Sequence, residues 1–165
     1  MVDMLNDFVL PGAPLEVPDA RGIIPAIRAR IEQARREGTP VIYLCDAHAE
    51  DDEEFKVWPS HAVTGTEGSK VIDRLAPEPG DIVLAKTTYS AFYKTQLENT
   101  LRRKNIRSLT IVGVVTNICI LFTAYEAVVR GYEVEVPRDA VAALSPDEHD
   151  FALGQMAKVL RVEIT

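Results

Sequence analysis

Short runs of apolar, largely β-branched residues recur along this chain, separated by helix-length amphipathic stretches, and that alternation leaves few folds open. The runs are Val41–Cys45, Ile82–Ala85, Leu109–Val112 and Tyr132–Val136, with a weaker one after Val159 and a stub before Asp3. Taken together the runs are too continuously apolar to alternate faces, the pattern of strands covered on both sides. Between them, Ile23, Ile24, Ile27, Ile31 and Ala34 fall at helical spacing and stop at Gly38. Leu97, Leu101 and Ile106 mark a second helix, and Cys119 to Arg130, ended by Gly131, a third. Ser145-Pro146-Asp147-Glu148 opens a fourth, with an N-cap serine, proline at the first helical position and acids in the first turn. The order predicts one α/β domain over residues 1–165. It is a Rossmann-like three-layer sandwich, with a mostly parallel six-stranded sheet and helices on both faces.

Composition narrows the function classes. A chain of 165 residues that is 47% hydrophobic and 26% charged can bury a core, which excludes a disordered or fibrous protein. Acidic residues outnumber basic ones by 25 to 18 and no basic cluster appears, which argues against nucleic acid as a partner. No apolar run reaches the ~18 residues a membrane helix needs. No basic stretch followed by an apolar one opens the chain, so a cytoplasmic location is expected. In that setting Cys45 and Cys119 read as free thiols rather than a disulfide. The long stretches Phe8–Asp19 and Ala47–Gly68 read as loops, and loops of that length in a compact domain usually carry function.

In open parallel sheets a ligand sits outside the carboxyl ends of the strands. The polar residues just past each predicted strand are Asp3, Asp46 with His48, Lys86, and the turn Gly113 to Cys119. Cys119 is placed to open a helix, where the dipole and free N–H groups lower a thiol pKa and can hold a developing oxyanion. The alternative is a small buried hydrophobe, which is the reading for Cys45 inside its strand. A carboxylate at Asp3 can take the thiol proton, and an ammonium at Lys86 favours the thiolate. Separately, each is an ordinary turn or rim residue.

Asp46, His48, Glu54 and His61 form a second constellation: two imidazoles and two carboxylates suit a divalent transition metal such as Zn, Fe(II) or Mn. An acidic solvated loop with incidental histidines is the other reading. Spacing alone does not choose Glu54 among the consecutive acids Glu50 to Glu54. Phe8, Trp58 and Tyr89 lie near the same strand ends and are either core or pocket aromatics. Gly65-Thr66-Glu67-Gly68 lacks the Lys-Ser/Thr sequel of a phosphate loop. His149, in a helical stretch, is expected to be exposed.

These residues together resemble the isochorismatase-like cysteine hydrolases, and within them the nicotinamidase-like amidohydrolases. The likeness is carried by Val2 to Phe8, Asp46-Ala47-His48, Trp58-Pro59-Ser60-His61 with Gly65 to Gly68, Lys86 with Tyr89-Ser90-Ala91-Phe92, and Gly113 to Cys119. It implies a Cys119 nucleophile, Asp3 as its acid/base and Lys86 completing a triad. It also implies a cis peptide between Val115 and Thr116 that aims the N–H groups of Val115 and Cys119 into an oxyanion hole. The glutamate-containing subtype implies metal ligands Asp46, His48, Glu54 and His61, the seven-residue interval to His61 selecting Glu54. Phe8, Trp58 and Tyr89 match positions that sandwich a flat substrate ring.

The reaction so implied converts nicotinamide to nicotinate and ammonia through a Cys119 thioester. The alternatives are a hydrolase of the same fold acting on an N-carbamoyl or ureido compound, and a non-catalytic α/β protein that binds a small ligand. The resemblance also implies a homo-oligomer, dimer or tetramer. Strand residues ahead of the aspartate are usual in such proteins, so either the sequence starts late or the first strand is clipped, and a frayed strand there would misplace Asp3.

Overall fold

The computed structural model describes residues 1–165. Helix α1 (Asn6–Val9) and the long α2 (Ala20–Glu37) lead to strands β1 (Ile42–Asp46) and β2 (Ile82–Lys86). Then come α3 (Leu97–Arg103), β3 (Ser108–Thr110), β4 (Gly113–Val114), α4 (Leu121–Val129) and β5 (Glu133–Val136). β6 (Val141–Ala142), α5 (Pro146–Lys158) and β7 (Glu163–Ile164) complete the chain. The helix signals act as expected at two ends. Gly38 takes φ +70° and returns its N–H to Ala34 and Arg35, closing α2, while Ser145 accepts the Glu148 N–H and opens α5. No helix is long and apolar enough to cross a membrane.

Every pairing between named strands is parallel, and where one six-stranded sheet is expected the ladders run as three short sets, β1-β2, β3-β5-β7 and β4-β6. The Met1–Asp3 stub lies between β1 and β4 and joins their two sets. Val2 makes only single-residue bridges, to Leu44 on one side and Gly113 on the other. Its N–H donates to the Val112 carbonyl at 2.8 Å, while Leu44 N–H reaches the Met1 carbonyl at 2.9 Å. The approach is so close that a Cβ on Gly113, whose φ is +119°, would collide with the Val2 carbonyl, so only glycine serves there.

Alternate residues of the strands feed two cores, one on each face. Tyr43, Cys45, Val112 and Val114 pack with Ile23, Ile24, Ile27 and Ile31 of α2. Leu44 and Ile111 face the other way, against Leu97 and Leu101 of α3, Ala124 of α4 and Leu153 and Met156 of α5. A fully buried aliphatic chain of this kind contributes roughly 1.5–3 kcal/mol. Helices therefore cover both faces, as predicted. At the amino ends of the strands a cavity of about 750 Å³ separates β1 from β3, bounded by Met1, Ile42, Leu109 and Ile111 among others. The polar residues gather at the opposite, carboxyl ends.

Candidate active site

Parallel register delivers the first pair of charged groups: Asp46 and Lys86 are partners at the last step of the β1-β2 ladder. The stub brings Asp3 alongside, and the turn after β4 brings Cys119. Lys86 Nζ lies 2.7 Å from Asp3 Oδ2, 2.6 Å from Asp46 Oδ1 and 3.4 Å from Cys119 Sγ. Its remaining contact is the Thr88 carbonyl at 3.2 Å. Asp3 Oδ1 accepts the Asp46 N–H at 2.9 Å, and Asp3 itself holds a left-handed backbone, φ +50°, which aspartate tolerates better than most residues. All four side chains are buried.

Burial and this crowding set the charges. Burial raises the Asp3 carboxyl to about 6, the Asp46 charge adding to it and Lys86 opposing. Burial acts the same way on Asp46, but Lys86 and His48 outweigh it and hold that carboxyl below its ordinary range. For Lys86 burial disfavours the cation, yet Asp3, Cys119 and Asp46 together raise its proton affinity well above normal. Burial pushes the Cys119 thiol well up; Lys86 pulls against it and the two carboxylates reinforce it. The expected low-pKa thiolate is therefore corrected to a resting thiol. Cys119 sits inside a π-helical turn, Thr116–Ile120, rather than at the exposed start of a helix, and two carboxylates stand near it. Such a thiol needs a base at the moment of attack.

The turn itself also differs from expectation. The cis peptide lies between Val114 and Val115, not between Val115 and Thr116. Thr116 already belongs to the helical turn, so the chain leaves the sheet one residue earlier, directly after β4. The Val115 carbonyl takes the N–H groups of Ile118 and Ile120 and leaves that of Cys119 aside, while the Val115 N–H has no acceptor in the protein.

The second constellation forms where β1 runs on into His48. His48 N–H donates to the Ala62 carbonyl at 3.1 Å and the His48 carbonyl accepts from Thr64 at 2.9 Å, which brings the loop back with His61. Asp7 fixes the same point by accepting the Ala62 N–H at 2.8 Å, and a Cβ on Gly68 would collide with that carboxylate. His61 Nδ1 is 2.7 Å from the Pro59 carbonyl, which can only accept, so the Nε2 lone pair is free. His48 Nδ1 is held by Asp52 at 3.0 Å, and its Nε2 is buried with no hydrogen-bond partner.

That nitrogen lies 3.8 Å from Asp46 Oδ1, and the ligating atoms of Asp46, His48 and His61 fall within 4.8 Å of one another. Glu54 Oε1 stands 3.9 Å from His61 Nε2, beside this group rather than inside it. Burial disfavours a charged His48, yet the nearby Asp46 and Asp52 carboxylates raise it to about 9, so the position favours a positive charge. Burial lowers His61 and raises Glu54. An orphaned nitrogen aimed at a carboxylate, with both outer ring nitrogens anchored on oxygen, fits a divalent transition metal.

The expected aromatics lie in two groups. Trp58 Nε1 donates to the Tyr89 hydroxyl at 3.1 Å, and Tyr89 stacks on Phe122 at 5.8 Å. Phe8 is buried edge-on against His61 at 5.4 Å. Sequence reasoning missed Phe55, whose ring centre lies 5.5 Å from both His48 and His61. It also missed Asp7 and Asp52. The interval of four from His48 to Asp52 was the available signal. His149, expected to be exposed, is half-buried with Nδ1 3.0 Å from Thr116 Oγ1. Both cysteines are buried and free.

Comparison with known proteins places this geometry. The isochorismatase domain model matches residues 1–165. The uncharacterized isochorismatase family protein YaaI of Bacillus subtilis is 34% identical over 165 residues, covering 100% of this chain and 91% of that one. The N-carbamoylsarcosine amidase structure from Thermoplasma acidophilum is 38% identical with a TM-score of 0.90, over 99% and 92% of the two chains. The pyrazinamidase of Pyrococcus horikoshii, in complex with zinc, is 33% identical with a TM-score of 0.93, over 100% and 96%.

Proposed function

Because this chain belongs to the isochorismatase family, we propose that it is a cysteine-dependent hydrolase of small amides, with nicotinamide the leading substrate. The observation that carries the reading is the buried cluster in which Lys86 touches Asp3 at 2.7 Å and Cys119 at 3.4 Å. Three such groups, desolvated together, cost stability that a structural role does not require.

Asp3 takes the Cys119 proton as Sγ attacks the amide carbon. Lys86 holds Asp3 in place and offsets the charge that moves onto sulfur. The N–H groups of Val115 and Cys119 receive the oxyanion. Asp3 returns its proton to nitrogen as the C–N bond breaks, and ammonia leaves an acyl-Cys119 thioester. Water, deprotonated by Asp3, cleaves the thioester and releases the acid, restoring the thiol. Asp46, His48 and His61, with Glu54 beside them, would hold a divalent metal, the zinc in the Pyrococcus horikoshii pyrazinamidase supporting this assignment. Such a metal supplies an electrophile that binds and orients a ring nitrogen. Phe8, Phe55, Trp58 and Tyr89 supply flat apolar surface near it.

The second reading, an N-carbamoyl substrate, is favoured by the 38% identity to the Thermoplasma acidophilum amidase. An ammonia-release screen over nicotinamide, pyrazinamide and N-carbamoyl compounds, with zinc-supplemented protein and Cys119→Ala alongside, separates the two. Release from nicotinamide alone supports the first reading, and release from carbamoyl compounds alone supports the second. No Cys119-dependent release from any of them overturns both. An oligomer is also proposed, supported by the exposed strip Phe122, Tyr125 and Val129 on α4, and light scattering after gel filtration tests it. A cytoplasmic location is the matching proposal for the setting, tested by fractionation.

A further inference from the structure

The start of α5 grips the turn that carries Cys119 at two adjacent points. Thr116 Oγ1 lies 3.0 Å from His149 Nδ1, and Asn117 Nδ2 donates to Glu148 Oε1 at 3.5 Å. Glu148 is itself fixed, since Ser145 Oγ donates to it at 2.8 Å and accepts its N–H at 3.3 Å. Thr116 is wholly buried and opens the helical turn in which Cys119 stands. His149, by contrast, is half-buried and borders a cavity of about 160 Å³ lined also by Asp19, Ala143, Ser145 and Asp150. An imidazole within reach of protons is therefore bonded to a buried hydroxyl three residues ahead of the proposed nucleophile.

The chemistry of that bond depends on charge. A neutral imidazole can accept the Thr116 hydroxyl proton at Nδ1. A protonated one has only donors, so the buried hydroxyl would have to turn its own hydrogen toward another acceptor, and it has no other partner. We propose that His149 is a positioning residue: its neutral ring holds the Thr116 turn, and with it Cys119, in the reactive arrangement, and its protonation releases the turn. The inference rests on the Cys119 reading given above.

The groups that face His149 are Arg138 ahead of β6, Asp19 ahead of α2, and Asp150 and Glu148 on α5. Burial and Arg138 lower its pKa against the opposing pull of Asp150 and Asp19. The ring is thus neutral near pH 7, and the grip is lost as pH falls through a value below 6.5.

Two measurements test this without a substrate. The first is the rate of Cys119 alkylation by iodoacetamide, read by peptide mass from pH 8 to pH 5, each protein relative to its own rate at pH 8. The wild type is expected to lose about three- to tenfold more than His149→Gln, the range one net hydrogen bond supports. The second is the proton-NMR titration of His149 in wild type and Thr116→Val, where loss of the hydroxyl is expected to raise its pKa. Superimposed alkylation profiles, or a His149 titration unchanged in Thr116→Val, overturn the proposal. Because neither readout involves turnover, failure here is distinct from failure of the amide-hydrolase reading, which ammonia release decides.

Discussion

Replacing Lys86 with methionine is the perturbation for which the structure gives the clearest magnitude. The ammonium is the cation shared by Asp3 and Asp46, at 2.7 and 2.6 Å, and both carboxylates are buried. Methionine fills a similar volume but leaves the buried Asp3 carboxylate without a cation and Asp46 with only His48. Removing one partner of a buried ion pair costs roughly 3–5 kcal/mol. For a domain of this size each kcal/mol lowers Tm by about 2–4 °C, so the variant should melt about 6–20 °C below wild type. Combining Lys86→Met with Asp3→Asn removes one stranded charge and should recover part of the loss, which a plain packing defect would not. The assay is calorimetry on all three proteins in one buffer near neutral pH. Cys119 alkylation should also slow in Lys86→Met, because the ammonium 3.4 Å from sulfur no longer favours the thiolate. A Tm within about 2 °C of wild type, under 1 kcal/mol by the same conversion, would refute the reasoning.

Two further outcomes follow from the geometry. Gly68→Ala drives a Cβ into the Asp7 carboxylate and frees the Ala62 N–H beside His61. It should cost about 1–3 kcal/mol in urea unfolding, whereas no change would show that Asp7 does not hold the loop. His48→Ala should abolish stoichiometric zinc uptake, and Asp52→Ala should weaken it about 10–100-fold, both read by elemental analysis after dialysis. Unchanged zinc in His48→Ala would remove that ligand set.

The strands that carry the site were legible because they are long and continuously apolar: Val41–Cys45 and Ile82–Ala85 each fall within a residue of β1 and β2. The four polar residues at strand ends were legible for the same reason, since register places Asp46 opposite Lys86. β6 is two residues long, too short to leave a periodic signal, and the link from β1 to β4 rests on single-residue bridges of Val2 that no apolar run announces. The thiol's environment was misjudged because desolvation is a property of the assembled core: nothing local to Cys119 reveals two carboxylates arriving from positions 3 and 46. Phe55, Asp7 and His149 were missed for the same cause. Each acts through a neighbour that the fold, not the sequence interval, brings within reach.

Acid-quenched mass analysis of the protein during turnover of nicotinamide tests the central claim most directly. The account predicts a nicotinoyl adduct on the peptide bearing Cys119, present in wild type, absent in Cys119→Ala and accompanied by ammonia. Ammonia release undiminished in Cys119→Ala, or turnover in wild type without any adduct on Cys119, would contradict it.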